Sequence, residues 1–160
     1  MAKTTLVAYF SLTETTANLA NLIASLAQAD LFEIKPKQPY EKADLDWQNK
    51  ESRTSKEHED PNCRPAIDGK VSKFEQYNTI YIGFPLWWYT APRIINTFLD
   101  EYDFTGKKVI PFATSLGSQI DKADSDLIEA CKTKPTWIPG KRFGTTDTDI
   151  MTVKNWIDSI

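Results

Sequence analysis

A chain of 160 residues, 41% hydrophobic and 26% charged, suits one domain spanning residues 1–160 with a sizeable core. A net charge of −3 without a local basic cluster argues against a nucleic-acid binder, and no apolar stretch is long enough to span a bilayer. Cys63 and Cys131 form no CxxC motif and the N-terminus lacks a cleavable apolar segment, so the expectation is a cytoplasmic protein without metal or disulfide.

The first predicted element is a buried strand over Thr4–Phe10, apolar and β-prone. Leu19, Leu22, Ile23 and Leu26 then recur at helical spacing. The turn between them is Ser11-Leu12-Thr13-Glu14-Thr15-Thr16, hydroxylated at four of its six positions and free of positive charge. A strand-to-helix turn presents unpaired backbone amides and the positive end of the helix dipole, a place to hold phosphate without Lys or Arg. Helix capping alone would also use one or two of these hydroxyls, but four exceed what capping requires. Neither GxGxxG nor GxxxxGK[ST] is present.

Leu31–Ile34 reads as a short strand stopped at Lys35-Pro36, and a long polar excursion follows. Within it, residues 43–59 have the composition of one exposed helix. Trp47 is the excursion's large apolar side chain; the expected role is to pin the segment to the body, with a ligand role as the alternative. His58, flanked by charges, reads as a solvated surface residue. Arg64-Pro65-Ala66-Ile67 returns the chain to the body, and Val71–Gln76 reads as a turn of helix.

Thr79–Phe84 is a second strong strand, apolar enough for burial on both faces, and it runs into Pro85-Leu86-Trp87-Trp88-Tyr89. Pro92 opens a helix faced by Ile94, Ile95, Phe98 and Leu99. Lys108–Thr114 is a third strong strand and exits into Ser115-Leu116-Gly117-Ser118. Ala123, Leu127 and Cys131 line the next helix, and Thr136–Ile138 is a brief strand. In the last helix Thr148 or Asp149 is the cap, and Ile150, Val153, Ile157 and Ile160 are expected to face inward. Alternating strands and helices imply an α/β three-layer sandwich, a parallel sheet with helices on both faces. Such sheets bind ligands outside the carboxyl ends of their strands. Three loops leave such ends, and together they describe a pocket for a flat aromatic ligand with a phosphate tail. Trp87 and Trp88 also fit plain core or interface roles, and adjacent side chains on extended backbone would point to opposite sides.

The chain resembles a flavodoxin, in the group carrying a G-[FY]-P-[LI]-W-W segment, here Gly83-Phe84-Pro85-Leu86-Trp87-Trp88. Ser11, Thr13 and Thr16 match the family's phosphate loop, S/T-x-T-G-x-T, and similarity extends through Arg64–Ile67, Ala91–Ser118 and Trp137–Phe143. The resemblance implies a five-stranded parallel sheet in the order 2-1-3-4-5 and one non-covalent FMN. Carried over by position, Ser11, Leu12, Thr13, Glu14, Thr15 and Thr16 surround the phosphate. Pro85, Leu86, Trp87, Trp88 and Tyr89 border the isoalloxazine, with Trp87 stacking on it. Thr114, Ser115, Leu116, Gly117 and Ser118 lie along its pyrimidine edge. Glu14 and Leu116 stand where relatives carry Gly. The implied activity is electron transfer between redox partner proteins. The alternative is an FMN-dependent oxidoreductase taking NAD(P)H or a quinone as small-molecule donor or acceptor. Neither needs a catalytic acid or base from the protein.

Overall fold

The computed structural model describes residues 3–160. Its strands and helices follow in chain order as β1 (Thr5–Tyr9), α1 (Glu14–Ala27), β2 (Asp30–Glu33), β3 (Lys35–Pro36), α2 (Arg53–Glu59), β4 (Ile67–Asp68), β5 (Thr79–Pro85), α3 (Arg93–Glu101), β6 (Lys108–Thr114), α4 (Asp121–Ala130), β7 (Thr136–Trp137), β8 (Lys141–Phe143) and α5 (Ile150–Asp158). Single 3-10 turns lie at Ala43–Leu45 and Phe74–Gln76.

The central sheet runs β2-β1-β5-β6-β7, with β8 also on β6, and every pairing in it is parallel. β7 and β8 are two halves of one interrupted edge strand, so the expected order 2-1-3-4-5 describes the sheet. Pro111 supplies the interruption. Val109 accepts from Ile138 across the edge, so odd positions of β6 face that side, and at Pro111 no N–H is available to continue the ladder. The edge bends away there at Pro139-Gly140. A Cβ on Gly140 would lie 2.9 Å from the Pro111 carbonyl and 2.6 Å from Asp124 Oδ1. β3 and β4 form a separate antiparallel pair.

Alternation along the strands divides the core into two layers. Leu6, Ala8, Ile80, Ile82 and Phe84 pack with Ile94, Ile95, Phe98 and Leu99 of α3 and Ala123 and Leu127 of α4. Val7, Tyr81, Ile110 and Phe112 pack with Leu19, Ala20 and Ile23 of α1 and Val153 of α5. Gly83 makes room for Phe112, whose ring would lie 2.2 Å from any Cβ there.

Two helical expectations need correction. Residues 43–59 do not form one helix. The Asp46 carboxylate accepts from Gln48 N and the Asn49 side chain from Glu51 N, so side chains take amides that a continuing helix would need. The helix restarts at Ser52, whose buried hydroxyl accepts from Ser55 N. In α5, Asp149 is the cap and Val153 is buried, but Ile150 and Ile160 face solvent. Trp156 takes the packing instead, edge-on to Phe143 at 5.4 Å and Tyr81 at 5.8 Å.

Candidate functional site

A cavity of about 470 Å³ opens at the carboxyl ends of β1 and β5, within the usual size range of small-molecule sites. Leu12, Thr13 and Thr16 line it from the first loop, Pro85 to Tyr89 from the second, and Ser118 from the third. Leu45, Trp47 and Thr54 complete the lining from the excursion.

The first loop is built on the start of α1. Thr13 is the N-cap in extended conformation, and its hydroxyl accepts from Thr15 N at 3.4 Å. Ser11 Oγ accepts from Ala17 N at 3.2 Å and donates to the Thr13 carbonyl. Helix geometry leaves the amides of Glu14 and Thr16 without an intrahelical acceptor. Thr16 is buried, and its hydroxyl lies 2.8 Å from that of Thr114 at the end of β6, which ties the first loop to the third. Ser11, Glu14 and Thr15 sit beside the cavity lining rather than in it.

The second loop is a tight two-residue turn. Trp87 N donates to Thr90 O at 2.9 Å and Thr90 N to Trp87 O at 3.0 Å, with Trp88 and Tyr89 at φ 50° and 66°. Asn and Gly usually take these left-handed positions; two bulky aromatics there cost of order 1–3 kcal/mol each. The backbone is therefore not extended at the tryptophan pair, and the expected opposed placement of Trp87 and Trp88 gives way to the geometry of the turn. Trp88 stacks on His58 of α2, rings 4.6 Å apart and 15° from parallel. His58 is thus half-buried rather than solvated, and burial, with Arg93 and Lys122 nearby, holds its imidazole below the ordinary range. Trp87 meets Phe10 at 5.7 Å and Tyr40 at 5.8 Å, both edge-on, which fixes its ring plane. Tyr89 is exposed. Thr90 donates to Asp126 at 2.6 Å and Lys122 pairs with the same oxygen at 2.7 Å. Burial works against ionisation of Asp126, but these two hydrogen bonds outweigh it and hold the carboxyl below the usual range.

The third loop reaches the cavity least. Ser115 N donates to Phe143 O at 3.0 Å, and Ser115 Oγ accepts from Ser118 N at 3.0 Å. That closes the loop on itself and sends Leu116, 88% exposed, into solvent. Thr114 is buried, and Ser115, Leu116 and Gly117 lie outside the lining.

The excursion contributes what the sequence did not assign to the site. Tyr40 donates to Glu57 at 2.5 Å, Arg53 pairs with Glu57 at 2.9 Å, and the guanidinium lies 3.9 Å from the Tyr40 ring centroid. Arg93 donates to the His58 carbonyl at 2.6 Å and Thr54 Oγ1 to the Asp44 carbonyl at 2.8 Å. These bonds, not Trp47, fasten the segment. Trp47 is 66% exposed, and its expected pinning role is replaced by a place on the cavity wall. The signal was there in a lone indole within a polar stretch; nothing local singled out Leu45 or Thr54.

Among the lining residues none is charged, and the polar atoms come from Thr13, Thr16, Thr54, Ser118, Tyr89, the three indoles and backbone. Among the described residues no group of three His, Cys, Asp or Glu could hold a metal, and no helix is long and apolar enough to cross a membrane.

Residues 4–160 match the family model described as Flavodoxin. The chain belongs to the flavodoxin family. Among solved structures it is similar to a protein of Bacteroides uniformis ATCC 8492 assigned as a flavoprotein, with 46% identity, TM-score 0.92 and 99% of each chain covered. A second protein so assigned, from Bacteroides eggerthii DSM 20697, shows 44% identity and TM-score 0.91 over 98% of this chain and 96% of that one. The flavoprotein of Lactobacillus acidophilus NCFM in complex with FMN shows 26% identity and TM-score 0.70 over 88% of this chain and 93% of that one. No curated protein matches. Within this flavodoxin fold the three loops converge on one rim, joined by the Thr16–Thr114 hydroxyl pair and by the bond from Leu86 N to Thr114 O at 3.1 Å.

Proposed function

We propose that this flavodoxin-family chain binds one FMN non-covalently in the cavity and works in electron transfer. The observation that carries the reading is one cavity lined at one part by a hydroxylated helix start and at another by the Pro85–Tyr89 aromatic loop. FMN supplies the redox chemistry when bound. The chain's residues hold, orient and shield. The α1 start offers the Glu14 and Thr16 amides and the Thr13 hydroxyl to a phosphate, and neutral donors at a helix N-terminus suffice for that. Trp87, its plane fixed by Phe10 and Tyr40, offers a π-face to a flat ring. Ser118 is the polar group that the third loop brings to the ring edge.

Membership of the flavodoxin family favours an electron carrier over direct oxidation of a nicotinamide. With no positive charge at the ring and apolar surfaces around it, charge added on reduction is disfavoured, which lowers the potential. The test is a flavin-fluorescence titration of the purified protein with FMN, followed by anaerobic addition of NADH. Stoichiometric binding without bleaching by NADH is expected. Trp87→Ala should weaken FMN by roughly five- to a hundredfold, the range one aromatic stacking contact supplies, and shift its midpoint. No binding to the native chain, or an unaltered Trp87→Ala titration and midpoint, refutes the assignment.

A further inference from the structure

The cavity has an aromatic wall that the family's three loops do not supply. Trp47 and Leu45 line it from the excursion between β3 and α2. Their backbone is folded rather than slack. Asp46 O accepts from Asn49 N at 3.1 Å, Asn49 O from Ser52 N at 3.0 Å, and Thr54 ties back to Asp44. The turn built this way displays an indole that is 66% exposed, at the mouth of a cavity lined by uncharged groups. A core residue would be buried, and Trp47 is not. The third loop, meanwhile, presents no ring at all, with Leu116 in solvent. An indole so held gains most by covering a flat apolar face, since stacking and removal of both faces from water act together.

Resting on the FMN reading above, we infer that Trp47 is a cofactor-binding residue: it stacks on the isoalloxazine face that the Pro85–Tyr89 loop leaves free, with Leu45 beside it. The excursion thereby does the work that the ring-less third loop does not, and the ring is held between surfaces from two separate segments. The contact is with the ring alone and involves no part of the phosphate tail.

Titration of the purified full chain with FMN and with lumiflavin, the same ring without the phosphate tail, tests this. Trp47→Ala should lose affinity for both ligands by a similar factor, roughly five- to a hundredfold. Trp47→Phe should recover most of it. Met151→Ala, an equally exposed apolar truncation on α5, should leave both titrations as they are. An unchanged thermal midpoint for Trp47→Ala is expected, because the side chain is exposed and its segment is fastened by other bonds. Native-like affinity of Trp47→Ala for lumiflavin overturns the inference while leaving FMN binding intact, and so does loss of FMN affinity alone. Absence of FMN binding by the native chain overturns the functional reading itself and this inference with it.

Discussion

Trp88 and Tyr89 hold left-handed backbone conformations that their side chains disfavour, and they do so side by side within a cavity wall. Strain of this kind persists where surrounding structure over-determines it, here by the paired Trp87–Thr90 bonds, the His58 stack and the Thr90–Asp126 bond. Relief at Tyr89, which is exposed, should therefore be favourable for folding. Tyr89→Gly is expected to stabilise the protein by about 1 kcal/mol, raising the thermal midpoint by about 2–4 °C. The same change removes a ring from the wall and should weaken FMN. A lowered midpoint would show that the tyrosine ring contributes more to folding than its backbone costs. At this scale the sequence was partly legible. Thr13 and Thr16 were readable from type and spacing, Trp87 and Ser118 through the family resemblance, and all four line the cavity. That Leu116 turns outward was not, because it depends on Ser115 Oγ choosing the Ser118 amide, a bond several sequences could equally make.

The seven-residue α2 is the element that the strong patterns did not reveal. Its apolar content is low, and its placement comes from long-range polar bonds: Arg93 to the carbonyls of Glu57 and His58, Tyr40 to Glu57, and the His58–Trp88 stack. Periodicity says nothing of such pairings, whereas α1 and α3 declared themselves by apolar faces that the two core layers then buried. The stack makes α2 sensitive to pH. The groups facing His58 are Arg93 and Lys122, which oppose its charge, and Asp126 and Glu59, which favour it, with burial the largest influence. Its folded-state affinity for a proton is below that of the unfolded chain, so the contribution is complete above the ordinary histidine range near about pH 6.5 and is lost as pH falls through the depressed folded value. Chemical denaturation at about pH 7.5 and 5.5 should thus show a smaller loss of stability on acidification for His58→Gln than for the native chain. Equal losses would mean that the imidazole does not couple to folding.

For the molecule as a whole, the three-layer arrangement was legible in the alternation of strands and helices and in β1, β5 and β6, whose continuous apolarity announces burial on both faces, whereas the strand order came from the family resemblance. The split of the last strand was hidden because Pro111 sits within an otherwise uniform run, and its missing donor matters only once the neighbouring strand is placed. Every loop that forms the cavity leaves the same rim, so a ligand there bridges segments far apart in sequence and favours the folded state by mass action. FMN at about a hundredfold excess over its dissociation constant should add about 2.7 kcal/mol, a rise in thermal midpoint of about 5–11 °C. Calorimetric melts with and without FMN read this directly, and coincident melts would argue against the cavity as its site. The broken edge has one more consequence. An unpaired strand border of this sheet could template addition of a strand from another molecule, the route by which open sheets coalesce. On one side only two and three residues of backbone are presented, offset by a Pro-Gly step; on the other, four residues end at Lys35-Pro36. Neither margin offers a run long enough for an invading chain to zip along, so at high concentration this protein should resist joining into extended sheets.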